Sequence, residues 1–152
     1  MLTNIEHISE PLLWQRLLNF GNECYQQKNW LQAEYYYKEA ESQLDYLWSL
    51  EPTNVNLLMA WICTLHNLST LFEQQGDKQI GLHYILSAHH RMIHLTQGVE
   101  TAEDVKLIAI NALKITFPPL LAFSRRNPIC EDCEQSIKAF QQQIKQHETV
   151  LH

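Results

Sequence analysis

The chain has 152 residues, 45% of them hydrophobic and 18% charged, with 4 Gly, 5 Pro and a formal net charge of −6. That apolar share excludes a disordered chain, which is too poor in apolar residues to offset its ordering entropy. Eleven Lys+Arg against seventeen Asp+Glu leave no positive excess to displace counterions from a phosphate backbone, so nucleic acid is not an expected partner. The length fits one domain over 1–152. The stretch Met1 to His7 lacks the basic and apolar regions of a signal peptide, and no uninterrupted apolar run nears the ~18 residues of a membrane span. A cytoplasmic protein without a membrane partner is the expectation.

Leu, Gln, Glu and Ala are abundant and Asn-Gly or Asp-Gly hairpin turns are absent, which predicts an all-α chain. Ser9-Glu10-Pro11 marks a helix start, followed by the stripe Leu13, Leu17, Phe20 and Cys24. Asn29 caps a second helix carrying Ala33, Tyr37, Ala40, Leu44 and Leu47, which stops before Glu51-Pro52. Thr53 or Asn54 opens a third, with Trp61, Leu65, Leu68 and Phe72 inside, and Gly76-Asp77 ends it and caps the fourth. Ile80, Tyr84, Ala88 and Leu95 line that fourth helix, and Gly98 stops it. Thr101-x-x-Asp104 resembles a capping box and opens a fifth helix to about Phe117, where Pro118-Pro119 is expected to interrupt it. Asn127-Pro128 then starts a sixth, with Ile129, Cys133, Ile137, Phe140 and Ile144 as its stripe.

An internal repeat underlies these elements. Gln26-Gln27-Lys28-Asn29 aligns with Gln74-Gln75-Gly76-Asp77, a shift of 74 − 26 = 48, which also puts Leu17 on Leu65, Phe20 on Leu68 and Ala40 on Ala88. A second step brings Leu65 to Leu113 and Ala88 to Ser136. Three long antiparallel helical hairpins follow, with approximate units 9–52, 53–98 and 101–150, stacked as a short solenoid with a continuous core.

Phe20-Gly21-Asn22, Cys24-Tyr25, Lys28-Asn29-Trp30, Ala33, Tyr37 and Ala40 together resemble one tetratricopeptide repeat. Leu68-Ser69, Phe72, Gly76-Asp77, Gly81, Ile85 and Ala88 resemble a second. The period exceeds the family's usual ~34 residues, which implies lengthened helices. The resemblance implies a non-enzymatic adaptor or small chaperone-like module that binds a protein or peptide partner in a concave groove lined by the first helix of each hairpin. The matching positions are Gln15, Asn19, Asn22, Tyr25 and Gln26, then Cys63, His66, Asn67, Thr70, Glu73 and Gln74, then Asn111 and Lys114. Amides dominate, and they both donate to and accept from an extended peptide. Leu18 and Ile115 stand where the family's carboxylate-clamping members carry basic residues, so chaperone-tail binding is not implied.

Other residues bear on chemistry. Trp30, Tyr35, Tyr36, Tyr37, Tyr46 and Trp48 crowd one helix and cannot all face one core, so Tyr35, Tyr36 or Trp48 is expected to form a docking patch or homodimer surface. Cys130-x-x-Cys133 lies at a predicted helix start, but Glu131, Asp132 and Glu134 oppose a thiolate there and buried small residues are the better reading. His83, His90 and His94 share a helical face, with His89 adjacent. They lack the Glu beside the first His that would make a metalloprotease signal. The alternative function is a metal- or redox-responsive protein using Cys130/Cys133 or that histidine face. No phosphate loop or nucleophile elbow is present, and neither catalytic residues nor a cofactor are assigned.

Overall fold

Two turns of the same geometry set the register of the chain. In the computed structural model, which describes residues 2–128, 131, 134, 135, 137–139, 141 and 142, the helices are α1 (Leu2–Gln26), α2 (Trp30–Leu50), α3 (Val55–Gln74), α4 (Lys78–Gln97) and α5 (Glu103–Arg126). Lys28 closes α1 in the left-handed region, φ 60°, and the Asn29 amide returns to the Cys24 carbonyl at 2.8 Å. Gly76 closes α3 at φ 84°, and the Asp77 amide returns to the Phe72 carbonyl at 2.9 Å. These are the left-handed helix ends that satisfy orphan carbonyls, placed one repeat apart. The following helices are then capped differently. Asp77 Oδ1 accepts the Ile80 amide and Asn54 Oδ1 accepts the Leu57 amide, whereas the Asn29 side chain caps nothing at the start of α2.

Each helix packs against its neighbours in the chain, α1 on α2, α2 on α3, α3 on α4 and α4 on α5, with a smaller contact between α3 and α5. No strand occurs among the described residues. Small side chains sit where helices approach. Ala33, Ala40 and Ala88 are fully buried, a Cβ on Gly21 would collide with the Tyr37 ring, and Ser69 Oγ donates to the Gly81 carbonyl at 2.7 Å. Gly21 and Ser69, Ala33 and Gly81, and Ala40 and Ala88 are each 48 residues apart, so one packing solution is used twice.

α3 is the central helix, with ten buried residues including Leu58, Ile62, Leu65, Leu68 and Leu71. Fully burying each such side chain is worth about 1.5–3 kcal/mol. By length and mean hydropathy α3 and α5 are apolar enough to cross a bilayer, contrary to the expectation that no apolar run nears that length. In this fold their apolar residues supply the core. Ile85, Phe117, Leu120, Phe123 and Ile137 form a second buried cluster beyond the main one.

Three boundaries differ from expectation. α1 begins at Leu2 and runs through Pro11, since a proline removes one helical hydrogen bond without being an absolute stop. α5 likewise runs unbroken through Pro118-Pro119 to Arg126. The amides those prolines lack would pair with the carbonyls of Lys114 and Ile115, both exposed residues, while Thr116, Phe117, Leu120 and Phe123 hold the opposite side in the core. Thr101 does not cap α5: Ala102 occupies the cap position and Asp104 Oδ1 takes the adjacent Val105 amide at 2.9 Å. Of the expected sixth-helix stripe, Ile137 is buried, and Ile129, Cys133, Phe140 and Ile144 lie outside the described residues, as does Cys130.

The turn geometry yields opposite expectations for the two equivalent positions. Lys28→Gly relieves a left-handed side-chain cost that exceeds glycine's extra unfolded entropy, and should stabilise by about 0.5–1 kcal/mol. Gly76→Ala should destabilise by about 1 kcal/mol. Urea denaturation of both variants checks the pair, and equal effects at the two sites would contradict the shared geometry.

Candidate functional site

The amide-rich face starts on α1, where Gln15, Asn19, Asn22 and Gln26 recur every three or four residues and are all exposed. Tyr25 beside them is half-buried, its ring edge-on to Trp30 with centroids 5.3 Å apart. On α3, Cys63, Thr70 and Gln74 are exposed while His66, Asn67 and Glu73 are half-buried. Asn111 and Lys114 are exposed on α5.

Some of these residues are brought together by a side chain that the sequence marks only as core. The Tyr37 hydroxyl of α2 donates to Asn22 Oδ1 at 2.6 Å. Burial, then the proximity of Tyr25, Cys63 and Cys24, pushes its pKa up to about 12, so it remains a neutral donor. Asn22 of α1 meets this phenol directly, and Tyr25 and Cys63 lie near enough to act on it electrostatically. Asn22 thus has a structural task as well as an exposed one. The only sequence signal for this was a polar-tipped aromatic on a core stripe opposite a glycine, since a large ring beside Gly21 must send its hydroxyl past α1.

Glu73 is committed elsewhere. Its carboxylate takes a bidentate pair from Arg126, 3.1 Å from both Nε and Nη2, and a further hydrogen bond from Asn127 Nδ2. Burial alone would raise its pKa, but those hydrogen bonds and the charges of Arg126 and Lys78 outweigh burial and hold it below the usual carboxylate range. The result is a tie between the end of α3 and the end of α5. Asn127, read as a helix cap, also donates to the Phe123 carbonyl.

Burial also acts on two other polar groups of α3. Burial lowers the His66 pKa, and its Nε2 is buried with no hydrogen bond among the described residues. Burial raises the Cys63 thiol, which disfavours a reactive thiolate despite its exposure. His83, His90 and His94 are exposed, with His83 edge-on to Tyr84, whereas His89 turns inward, 3.0 Å from Thr116 Oγ1 on α5. No three His, Cys, Asp or Glu side chains among the described residues come close enough to hold a metal ion.

The aromatic helix divides differently from expectation. Tyr35 is 60% exposed, but Trp48 is buried, because its position on α2 faces α3 and α4. Its ring stacks on Trp61 with centroids 5.4 Å apart, under the Arg91 guanidinium at 5.2 Å. Trp48 therefore joins the core and forms no docking surface. An open cleft of about 720 Å³ lies where the α2–α3 and α4–α5 connections meet, lined by Pro52, Val99, Thr101 and Val105 among others. None of the amide-face residues reaches it.

Two outcomes follow from these charges. Because the Glu73 pKa is lowered on folding, the stability it contributes is present above the unfolded carboxylate pKa, about 4.3, and is lost as pH falls through the lower folded value. Glu73→Gln should cost about 1 kcal/mol at pH 7 and less near pH 3, by denaturant titration at both. For His89, burial first and the neighbouring His90 charge second lower the pKa to about 4. Stability from this group is full above the unfolded value of about 6.5, declines as pH drops and levels off below the folded value. The thermal midpoint of His89→Gln should fall less than that of the wild type between pH 7 and pH 4; parallel curves would exclude the effect.

No curated protein and no solved structure matches the chain. A family model matches residues 12–152, taking in α2 to α5 and the larger part of α1, and by that match the chain belongs to the family described as Protein of unknown function (DUF2753).

Proposed function

We propose that the protein is a non-enzymatic, tetratricopeptide-like interaction module that binds an extended peptide or a partner helix along the first helices of its hairpins. The observation that carries this reading is the duplicated packing unit. Gly21, Ala33 and Ala40 in one hairpin correspond to Ser69, Gly81 and Ala88 in the next, each set closed by a left-handed turn. Stacking units of this kind leaves the first helix of each with a face outside the core, and on α1 that face is Gln15, Asn19, Asn22 and Gln26, all exposed. Chemistry of that face supports peptide binding. Uncharged amides satisfy the N–H and C=O groups of a peptide backbone without the desolvation cost of an ion, and half-buried Asn67 and His66 continue the polar strip on α3. Specificity would then rest on shape and on apolar side chains flanking the backbone.

Selection of peptides from a random phage-displayed library on the wild-type protein tests the reading. Asn19→Arg combined with Asn67→Arg fills the face with bulk and charge, and spares Asn22 because it accepts from Tyr37. Selected peptides should lose at least about tenfold in affinity, roughly 1.4 kcal/mol, to the double variant. The thermal midpoint should stay within about 2 °C. Enrichment of no peptide, or equal binding by the variant, would overturn the proposal.

A further inference from the structure

Every hairpin has a side that meets the one before it, and the internal repeat identifies that side. On α3 it is Trp61, Thr64, Leu68 and Leu71, all buried, with Trp61 stacked on Trp48 of the preceding α2. On α5, 48 residues further on, it is Ala109, Ala112 and Thr116, again buried, and half-buried Pro119, with Thr116 bonded to His89 of the preceding α4. The same register on α1 falls on Leu13, Arg16, Phe20 and Glu23. Among the described residues no helix covers this stripe, which is open: Leu13 is 39% and Phe20 47% exposed, where Trp61 and Leu68 are 6% and 0%. Phe20 is extended sideways by Tyr36 of α2, its ring centroid 5.4 Å away.

This stripe has a charge pattern that its buried counterparts lack. Arg16 lies four residues before Phe20 and Glu23 three residues after it; both are exposed, and neither forms an ion pair among the described residues. Leu13, Arg16, Phe20 and Glu23 fall within one helical face, roughly 100° around α1 from the amide face. An antiparallel copy of the stripe, turned about an axis near Phe20, therefore sets Arg16 against Glu23 of the second copy, and by symmetry does so twice. Phe20 and Tyr36 supply the apolar centre of such a contact, and Leu13 lies beyond Arg16 toward its edge.

We propose that the protein forms a two-fold homodimer through the α1 stripe Leu13, Arg16, Phe20 and Glu23, a second copy covering the face that a preceding hairpin covers elsewhere in the fold. The interface is isologous and opposite in sign on either side of its axis. It leaves both amide faces free and does not depend on what they bind.

Sedimentation equilibrium of the full chain tests this with charge reversals at exposed positions, circular dichroism confirming that each variant folds. Wild type should self-associate, and R16E and E23R should each weaken association at least about tenfold. The double variant R16E/E23R should restore it, and an equimolar mixture of the two single variants should form heterodimers, because each carries the charge the other needs. A wild type that stays monomeric up to about 500 µM, a concentration near which only millimolar contacts fail to register, would make the stripe a polar cap and overturn the proposal. So would a dimer indifferent to both single reversals, which would use another face.

Discussion

Close approach of helices at small residues is the constraint on which the rest of this fold depends. Gly21 admits the Tyr37 ring, Ala33 and Ala40 let α2 lie along α1, and Ser69, Gly81 and Ala88 repeat the arrangement between α3 and α4. Where there is no side chain in the way, helix axes come close enough for neighbouring large residues to interlock at the density of a protein interior. The two sets have the same spacing in the sequence, 48 residues apart. Adding one methyl group at Gly21 would displace Tyr37, and with it the hydrogen bond to Asn22 that ties α2 to the amide face of α1.

That constraint leaves α1 with three distinct faces. One is buried against α2 and the core, a second carries exposed amides, and a third bears apolar residues flanked by opposite charges. The corresponding positions of α3 and α5 are largely buried, whereas on α1 they are exposed, and the charges of Arg16 and Glu23 keep an otherwise sticky surface compatible with water. Polar groups inside the fold are handled in a different way. His89 meets Thr116, Ser69 meets a carbonyl and Glu73 meets Arg126 and Asn127, so these buried or half-buried polar side chains tie one helix to another. Ties of this kind are worth most where water is excluded, and their loss leaves a desolvated group unpaired.

The chain's helices were legible because local effects define them. Helix-forming composition, the Asn54 and Asp77 caps and the Gly76 turn all act within four residues, and all appear in the structure as read. The 48-residue spacing read from the sequence recurs at the left-handed turns of Lys28 and Gly76. Local rules failed at Pro118-Pro119, where a helix expected to break continues because the side opposite the prolines is buried. Trp48, expected at a surface, instead continues the buried stripe Ala33, Tyr37, Ala40 and Leu44 at four-residue spacing, whereas exposed Tyr46 lies on the opposite side of α2.

What the sequence by itself determined was an all-α chain with the Asn54 and Asp77 caps and the Gly76 turn, because those depend on backbone preferences and side-chain periodicity that are encoded within a turn or two. Tertiary structure alone decided which polar residues are available. Asn22, Glu73 and Asn127 belong to one class by composition, yet the first meets Tyr37 across fifteen residues, and the other two meet each other across fifty-four. Such pairings depend on where whole helices come to rest, and that follows from the volume of residues such as Gly21 and Ala40 that carry almost no side chain of their own.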